Sequence, residues 1–357
     1  MRLGNRPGAN GKRGRRRRPA APGAVAALAV IGSLALTAGP TGPTASAASV
    51  DQRRDPQRPS RHPHGDTTAG EGMPARFVAE LDGRIVVVST ETGRVERRLT
   101  TQEPGGGATE PAVSPDGRIV WFSRGDGSCA AHLASVPVAG GGEQKLPGSG
   151  EAGPEGAPLP RPGRDQLAYS RTSCSDSGQA LVIGDLRGLE GHGQLGLVPL
   201  GWSRDGTRVL ATTPDGAQVR LLEVNNTGAI VADDELALPD GTAGCTLEVA
   251  GFSPDDNGGY VAERRCSSSG GSGAGRRSLV LLDKDGGFRQ TVLRLPRGQD
   301  FVDSLAFDAT GHSLLYSTAP VHSGGTQANE ISLWLWRDGT SQLFARQSRF
   351  HHPAWLP

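Results

Sequence analysis

"PAVSPDGRIVWFS", residues 111–123, joins a short apolar segment to a Pro-Asp-Gly turn and then to an alternating apolar run. The phrase returns as "APLPRPG" at 157, "LGWSRDG" at 200, "AGFSPDD" at 250 and "LAFDATG" at 305, and "PAWLP" at 353–357 is a sixth copy. A large apolar residue stands before each turn: Val113, Leu159, Trp202, Phe252, Phe307 and Trp355, about 50 residues apart. Each of the first five copies continues into a second strand, "RIVWFS", "DQLAYS", "TRVLAT", "GGYVAE" or "HSLLYS". A third follows, "HLASVPV", "QALVIGDL", "QVRLLEV", "SLVLLD" or "ISLWLW", then a Gly-containing turn and a weaker fourth strand. Gly in these turns supplies the positive φ that tight hairpins need.

Repeats of this length, each with four antiparallel strands, make the chain all-β and its fold a β-propeller. A single blade cannot bury both of its faces, so blades stack around an axis. The apolar residue of each phrase is expected on the innermost strand, packed against the next blade. The two ends settle the count. Residues 75–100 read as second, third and fourth strands with no first strand before them, whereas "RFHHPAWLP" is a first strand with nothing after it. The C-terminal strand should therefore pair with the N-terminal blade and close a ring of six, leaving no orphan edge.

"PAVSPDGRIVWFSR" and "GWSRDGTRVLATT" resemble the repeats of the TolB-like six-bladed propellers, relatives of the WD-repeat propellers. The resemblance covers residues 75–357 and implies the fold more strongly than any activity. TolB carries an α/β domain before its propeller. Only a short linker is expected here, so the resemblance does not extend to the whole of TolB. Prolyl-oligopeptidase-type enzymes pair a similar propeller with a hydrolase domain, and this chain has no Gly-x-Ser-x-Gly sequence.

The first 47 residues stand apart. "GKRGRRRRPA" is a positive n-region, "AVAALAVIGSLALTA" at 24–38 an apolar h-region, and "TASAAS" offers a cleavage site after Ala47. The apolar run is shorter than the roughly 20 residues that span a bilayer. Residues 1–47 are therefore read as a secretory signal peptide, with an uncleaved N-terminal membrane anchor as the alternative. The mature protein is expected outside the cytoplasm, secreted or in the cell envelope, as a monomer without a transmembrane domain. Residues 48–73 are polar, contain Pro and Gly, and read as a disordered linker before a propeller at 74–357. The chain beyond residue 47 has 30 basic and 37 acidic side chains. This acidic balance argues against a nucleic-acid partner, because phosphates need a basic surface.

An exported chain can hold disulfides. Its four Cys allow three pairings. Cys245 and Cys266 flank the turn "SPDDNGG" nearly symmetrically, so antiparallel pairing sets them opposite each other. Cys129 and Cys174 follow the second strands of adjacent blades. The expected bridges are Cys245–Cys266 and Cys129–Cys174, on one face, with a Cys₄ metal site as the competing reading.

No catalytic constellation stands out. The first strands do place Glu110, Glu155, Glu248, Asp303, His351 and His352 toward one end of the ring. These six are candidates for a channel-mouth site that holds a divalent cation or a basic peptide end. The bland alternative is a solvated polar rim. No other cofactor is expected. The leading functional reading is a non-enzymatic TolB-like scaffold that binds a protein or peptide. The alternatives are a lyase or hydrolase working at the channel mouth, and a purely structural envelope protein.

Overall fold

The computed structural model describes residues 72–357 except 103–105, 126–128, 176–177, 189–190, 239–243, 256–257, 268–274, 321–330 and 346–349. The signal peptide and nearly all of the linker read from the sequence lie outside the described residues. In chain order the strands are β1 (Arg76–Leu81), β2 (Arg84–Ser89), β3 (Val95–Arg98), β4 (Gly107–Val113), β5 (Ile119–Gly125), β6 (His132–Pro137), β7 (Gln144–Lys145) and β8 (Glu155–Pro160). They continue as β9 (Gln166–Thr172), β10 (Gln179–Asp185), β11 (Gly191–Leu195), β12 (Val198–Trp202), β13 (Arg208–Thr212), β14 (Val219–Val224), β15 (Ile230–Glu235) and β16 (Cys245–Phe252). The last eight are β17 (Tyr260–Cys266), β18 (Arg276–Leu282), β19 (Phe288–Arg294), β20 (Gln299–Phe307), β21 (Ser313–Pro320), β22 (Ser332–Arg337), β23 (Thr340–Ala345) and β24 (Phe350–Leu356).

They form six four-stranded antiparallel sheets, the blades of a propeller. Blade 1 has the order β24-β1-β2-β3, so the C-terminal strand completes the N-terminal sheet as expected. Trp355 pairs with Phe77 and Ala354 with Val78. Blades 2 to 6 take their four strands consecutively, from β4–β7 to β20–β23.

The second and third strands are apolar because neighbouring blades cover both of their faces. In β5, "IVWF" presents Val120 and Phe122 to blade 1 and Trp121 to blade 3. Such strands are buried almost continuously, whereas the outer β3 and β15 are largely exposed. Six apolar clusters, one per blade interface, make up the core.

The structure corrects the expected packing direction. Val113, Trp202, Phe252, Phe307 and Trp355 each pack against the preceding blade, not the next. Trp202 Nε1 donates to Leu159 O at 2.9 Å, and Trp355 Nε1 donates to Ala306 O at 2.8 Å, stapling each blade to the one before it. Leu159 is one residue out of step. It pairs with Ala168 and packs toward blade 4, while Pro160, opposite Leu167, holds the position equivalent to Val113.

The recurrent turn has a local cause. Ser114 Oγ donates to Asp116 Oδ1 at 2.6 Å and accepts the Ile119 amide at 2.9 Å, while Gly117 takes φ 70°. Ser203, Asp205 and Gly206 repeat this arrangement. In blade 3, Arg161 replaces the serine. Its buried guanidinium lies 4.9 Å from the Trp202 ring and donates to Gly206 O, Val224 O, Asn225 O and Gln166 Oε1. Those contacts tie blade 3 to blade 4.

Both disulfides form as expected. Cys245 lies opposite Cys266 in the ladder, and Cys129–Cys174 joins the loops after β5 and β9.

Two outcomes are expected. Removing residues 353–357 deletes Trp355, whose truncation alone costs about 3–5 kcal/mol, against a total stability of roughly 5–15 kcal/mol. Thermal melting of the shortened chain should fall far more than its five residues suggest, and an unchanged melting temperature would contradict ring closure. The second concerns Asp205, whose carboxyl is held down to about 2 by the Ser203 hydroxyl and by the Thr207 amide and hydroxyl, with burial opposing. Its native pKa lies below the unfolded value of 3.8, so its stabilisation is present above about pH 4 and fades as pH falls toward 2. Asp205→Asn should lower the melting temperature at neutral pH, and the gap to wild type should narrow through that window.

Candidate functional site

The first strands β24, β4, β8, β12, β16 and β20 run down the inner end of each sheet. A cavity of about 990 Å³ lies between them. Every first strand slips register against its partner, at Thr109/Ala112, Gly156/Leu159, Pro199/Gly201, Val249/Gly251, Val302/Ala306 and across His351/Ala354. Such bulges bend a strand and re-aim its side chains.

In blades 1, 2 and 3 the bulge is an Xaa-Pro pair: His352-Pro353, Glu110-Pro111 and Ala157-Pro158. The leading residues have φ of 46°, 53° and 48°. Proline has no N–H to give a ladder, so a bulge is where a strand tolerates it. A non-glycine residue held in this region stores about 1–3 kcal/mol of strain. Among the described residues, the other two non-glycine residues with positive φ, Asp82 and Asp338, sit in Asp-Gly hairpin turns. Backbone strain outside those turns is thus concentrated, among the described residues, on the cavity wall.

Nine prolines line the cavity, giving a wall poor in backbone donors and fixed in shape. Leu159, Trp202, Val249, Phe301 and Trp355 add apolar surface. The polar lining includes Glu110, Arg204, Glu248, Glu263, Arg265 and His352.

Three of the six expected residues therefore meet on the cavity: Glu110, Glu248 and His352. Glu110 Oε2 accepts the Ala157 amide at 2.6 Å, tying the blade 2 bulge to that of blade 3. Gly156 leaves room for this bond, since a Cβ there would lie 2.8 Å from the same oxygen. Glu155 is placed elsewhere. It is buried between blades 2 and 3, accepts from Ser149 Oγ and the Gly150 amide, and takes Arg171 Nη2 at 2.8 Å. Burial, followed by the Glu155 charge, pushes the neighbouring Tyr169 hydroxyl upward. His351 pairs with Glu80 in the blade 1 ladder and is not part of the cavity lining. Asp303 lies within β20, but its side chain lies outside the described residues. Among the described residues, no three His, Cys, Asp or Glu gather as metal ligands would.

Sequence reasoning missed a charged network on blades 5 and 6. Arg265 pairs with Glu248 at 2.8 Å and with Glu263 at 2.9 Å, while Arg277 pairs with Asp300 at 3.2 Å. Burial pushes the Glu263 carboxyl up, assisted by Asp300 and opposed by Arg265 and Arg277. Counting four residues beyond the turn hydrogen bond finds Ser123, Ser170, Thr212 and Ser317 in blades 2, 3, 4 and 6, and Glu263 in blade 5, while the ladder register puts Glu80 at this place in blade 1. A carboxylate in this column, in blades 1 and 5, was the available signal.

No protein-family model matches the chain, and no curated protein matches it. Among solved structures, TolB from Acinetobacter baumannii is similar over 79% of this chain and 66% of its own, with 12% identity and a TM-score of 0.51. A putative TolB from Agrobacterium tumefaciens matches 77% of this chain and 90% of its own at 15% identity and a TM-score of 0.48. An oligogalacturonate lyase from Vibrio parahaemolyticus matches 76% and 74% at 13% identity and a TM-score of 0.48. The chain thus shares the TolB-like six-bladed propeller fold, and spans just under two thirds of the Acinetobacter protein.

The link between blades 2 and 3 is open to a double-mutant cycle. Gly156→Ala should lower the melting temperature by forcing the Glu110 carboxylate off the Ala157 amide. In a Glu110→Ala background the same change should be nearly neutral, a coupling of about 0.5–3 kcal/mol. Additive effects would show that the two residues do not act on each other.

Proposed function

We propose that the protein is an exported, non-enzymatic propeller that binds a protein or peptide segment in its central channel. The observation that carries this reading is the proline-walled cavity of about 990 Å³. Its size is at the upper end for ligand pockets, and its apolar wall with a few polar groups suits recognition. Proline-bearing bulges hold that wall in shape before a ligand arrives, which lowers the ordering cost of binding. Export is supported by the charged and apolar leader pattern and by the two disulfides, which persist in oxidising compartments. The likeness of fold to TolB points the same way.

A second reading, an enzyme acting on a small or glycan substrate at the channel mouth, draws on Glu110 and His352, which line the same cavity. The Ala157 amide already occupies one Glu110 oxygen, which favours a positioning role for this carboxylate.

Ala250 is exposed, lies in the blade 5 bulge and lines the cavity, so Ala250→Trp fills the channel without entering the core. Chemical cross-linking in cells that secrete the protein, followed by mass spectrometry, should recover a partner with wild type. The Ala250→Trp variant, folded by circular dichroism, should lose it. Equal recovery by both would move the binding surface off the channel. Substrate turnover abolished by Glu110→Gln or His352→Gln would favour the enzyme.

A further inference from the structure

Two blades break the column of second-strand hydroxyls, and of these only blade 5 brings its carboxylate to the cavity. Where the column carries a hydroxyl in four blades, blade 1 carries Glu80, which is not part of the cavity lining, and blade 5 carries Glu263, with Arg265 two residues on. Glu263 and Arg265 both line the cavity beside Glu248, Val249, Ala250 and Phe301. Behind them Arg277 is engaged by Asp300.

The network is unbalanced. Among the described residues, three carboxylates, Glu248, Glu263 and Asp300, share two guanidiniums, Arg265 and Arg277. Three atoms of the network are buried without a hydrogen-bond partner: Glu263 Oε1, Asp300 Oδ1 and Arg265 Nε. Glu263 is 7% exposed, its Oε2 accepts from Arg265 Nη2, and its Oε1 is buried without a hydrogen-bond partner. Arg277 Nε stands 3.9 Å from that oxygen and 3.2 Å from Asp300 Oδ1. Arg265 spreads its two terminal nitrogens over two different carboxylates, so it closes on neither as a two-pronged pair. Glu248 is the more exposed of those partners.

We propose that the blade 5 wall is a cation subsite that takes the basic side chain of a peptide bound in the channel. This rests on the channel-binding reading and deepens it. The ligand's guanidinium or ammonium group pairs with Glu248. Arg265 is then released from Glu248 and closes with both prongs on Glu263, filling Oε1. Three cations then face three carboxylates. Two-pronged guanidinium–carboxylate pairs are stronger and more directional than divided ones, so the incoming charge gains both its own contact and the repair of the buried one. The apolar surface of Val249, Ala250 and Phe301 can cover the stem of a long basic side chain.

The test uses two capped peptides, acetyl-Pro-Leu-Arg-amide and its citrulline analogue, which keeps the shape of arginine and removes the charge. Trp202 and Trp355 line the channel, so their fluorescence reports binding to the exported chain. The arginine peptide should bind at least about tenfold more tightly than the citrulline peptide. Glu248→Gln and Glu263→Gln, checked for folding by thermal melting, should each bring that ratio close to one by weakening binding of the arginine peptide. Glu235→Gln, on the outer strand of blade 4, should keep the full ratio. Equal binding of the two peptides by wild type, with both lost in Ala250→Trp, would overturn the cation subsite and leave channel binding standing. Failure of both peptides to bind would also overturn the subsite, and cross-linking with Ala250→Trp would then decide the channel reading alone. A ratio unaffected by Glu248→Gln would place the charge recognition elsewhere.

Discussion

The pairing of β24 with β1 joins strands from opposite ends of the propeller sequence, and the other contacts in the ring depend on it. Without it, blade 1 has no inner strand and β1 shows a bare edge at the centre. The seam also serves two cores at once. Trp355 packs with Phe77, Leu315 and Leu333 at the interface with blade 6, while Leu356 joins Val78, Ile85 and Val120 at the interface with blade 2. Opening the seam would therefore weaken two of the six interfaces. A linear array of blades would leave such faces exposed, and closure removes them.

The channel inherits its character from the same constraint. Six inner strands crowd around one axis, and each relieves the crowding with a bulge. Blades 1 to 3 use Xaa-Pro pairs with left-handed backbone, stitched between blades 2 and 3 by the Glu110–Ala157 bond. Blades 4 and 5 slip by a single residue beside glycine, at Gly201 and Gly251. The two halves of the wall therefore differ. One is stiff and rich in proline. The other carries the Glu248, Glu263 and Arg265 network. This asymmetry distinguishes the cavity from a plain solvated hole, and it is the basis for reading it as a binding site.

The fold was legible in the sequence because its turn is built locally. Ser114 and Asp116 satisfy each other and the following amides within a few residues, so the motif survives wherever it is written. Blade 3 misled by one residue because its Arg161 does the work of the serine through contacts to blade 4, and because prolines flank it on both sides. The direction of packing was not legible, since alternation shows that two faces are buried without showing which neighbour each meets. The disulfides were legible from their places around the turns. The site was legible only in part. Glu110, Glu248 and His352 reach the cavity, but Glu155 sits beside the buried Ser149 and the half-buried Arg171, whose positions depend on other strands. The strain at His352, Glu110 and Ala157 arises from the bulge and has no signature in residue type beyond the proline that follows.

Native-state hydrogen exchange across the seam tests the central claim most directly. If ring closure sustains the fold, amides of Val78 in β1 and of Ala354 and Trp355 in β24 should open only with global unfolding, at the same free energy as amides in β9 and β17. Exchange of the seam at clearly lower free energy, with the other blades still protected, would show that the propeller stands without its closing strand and would contradict the account.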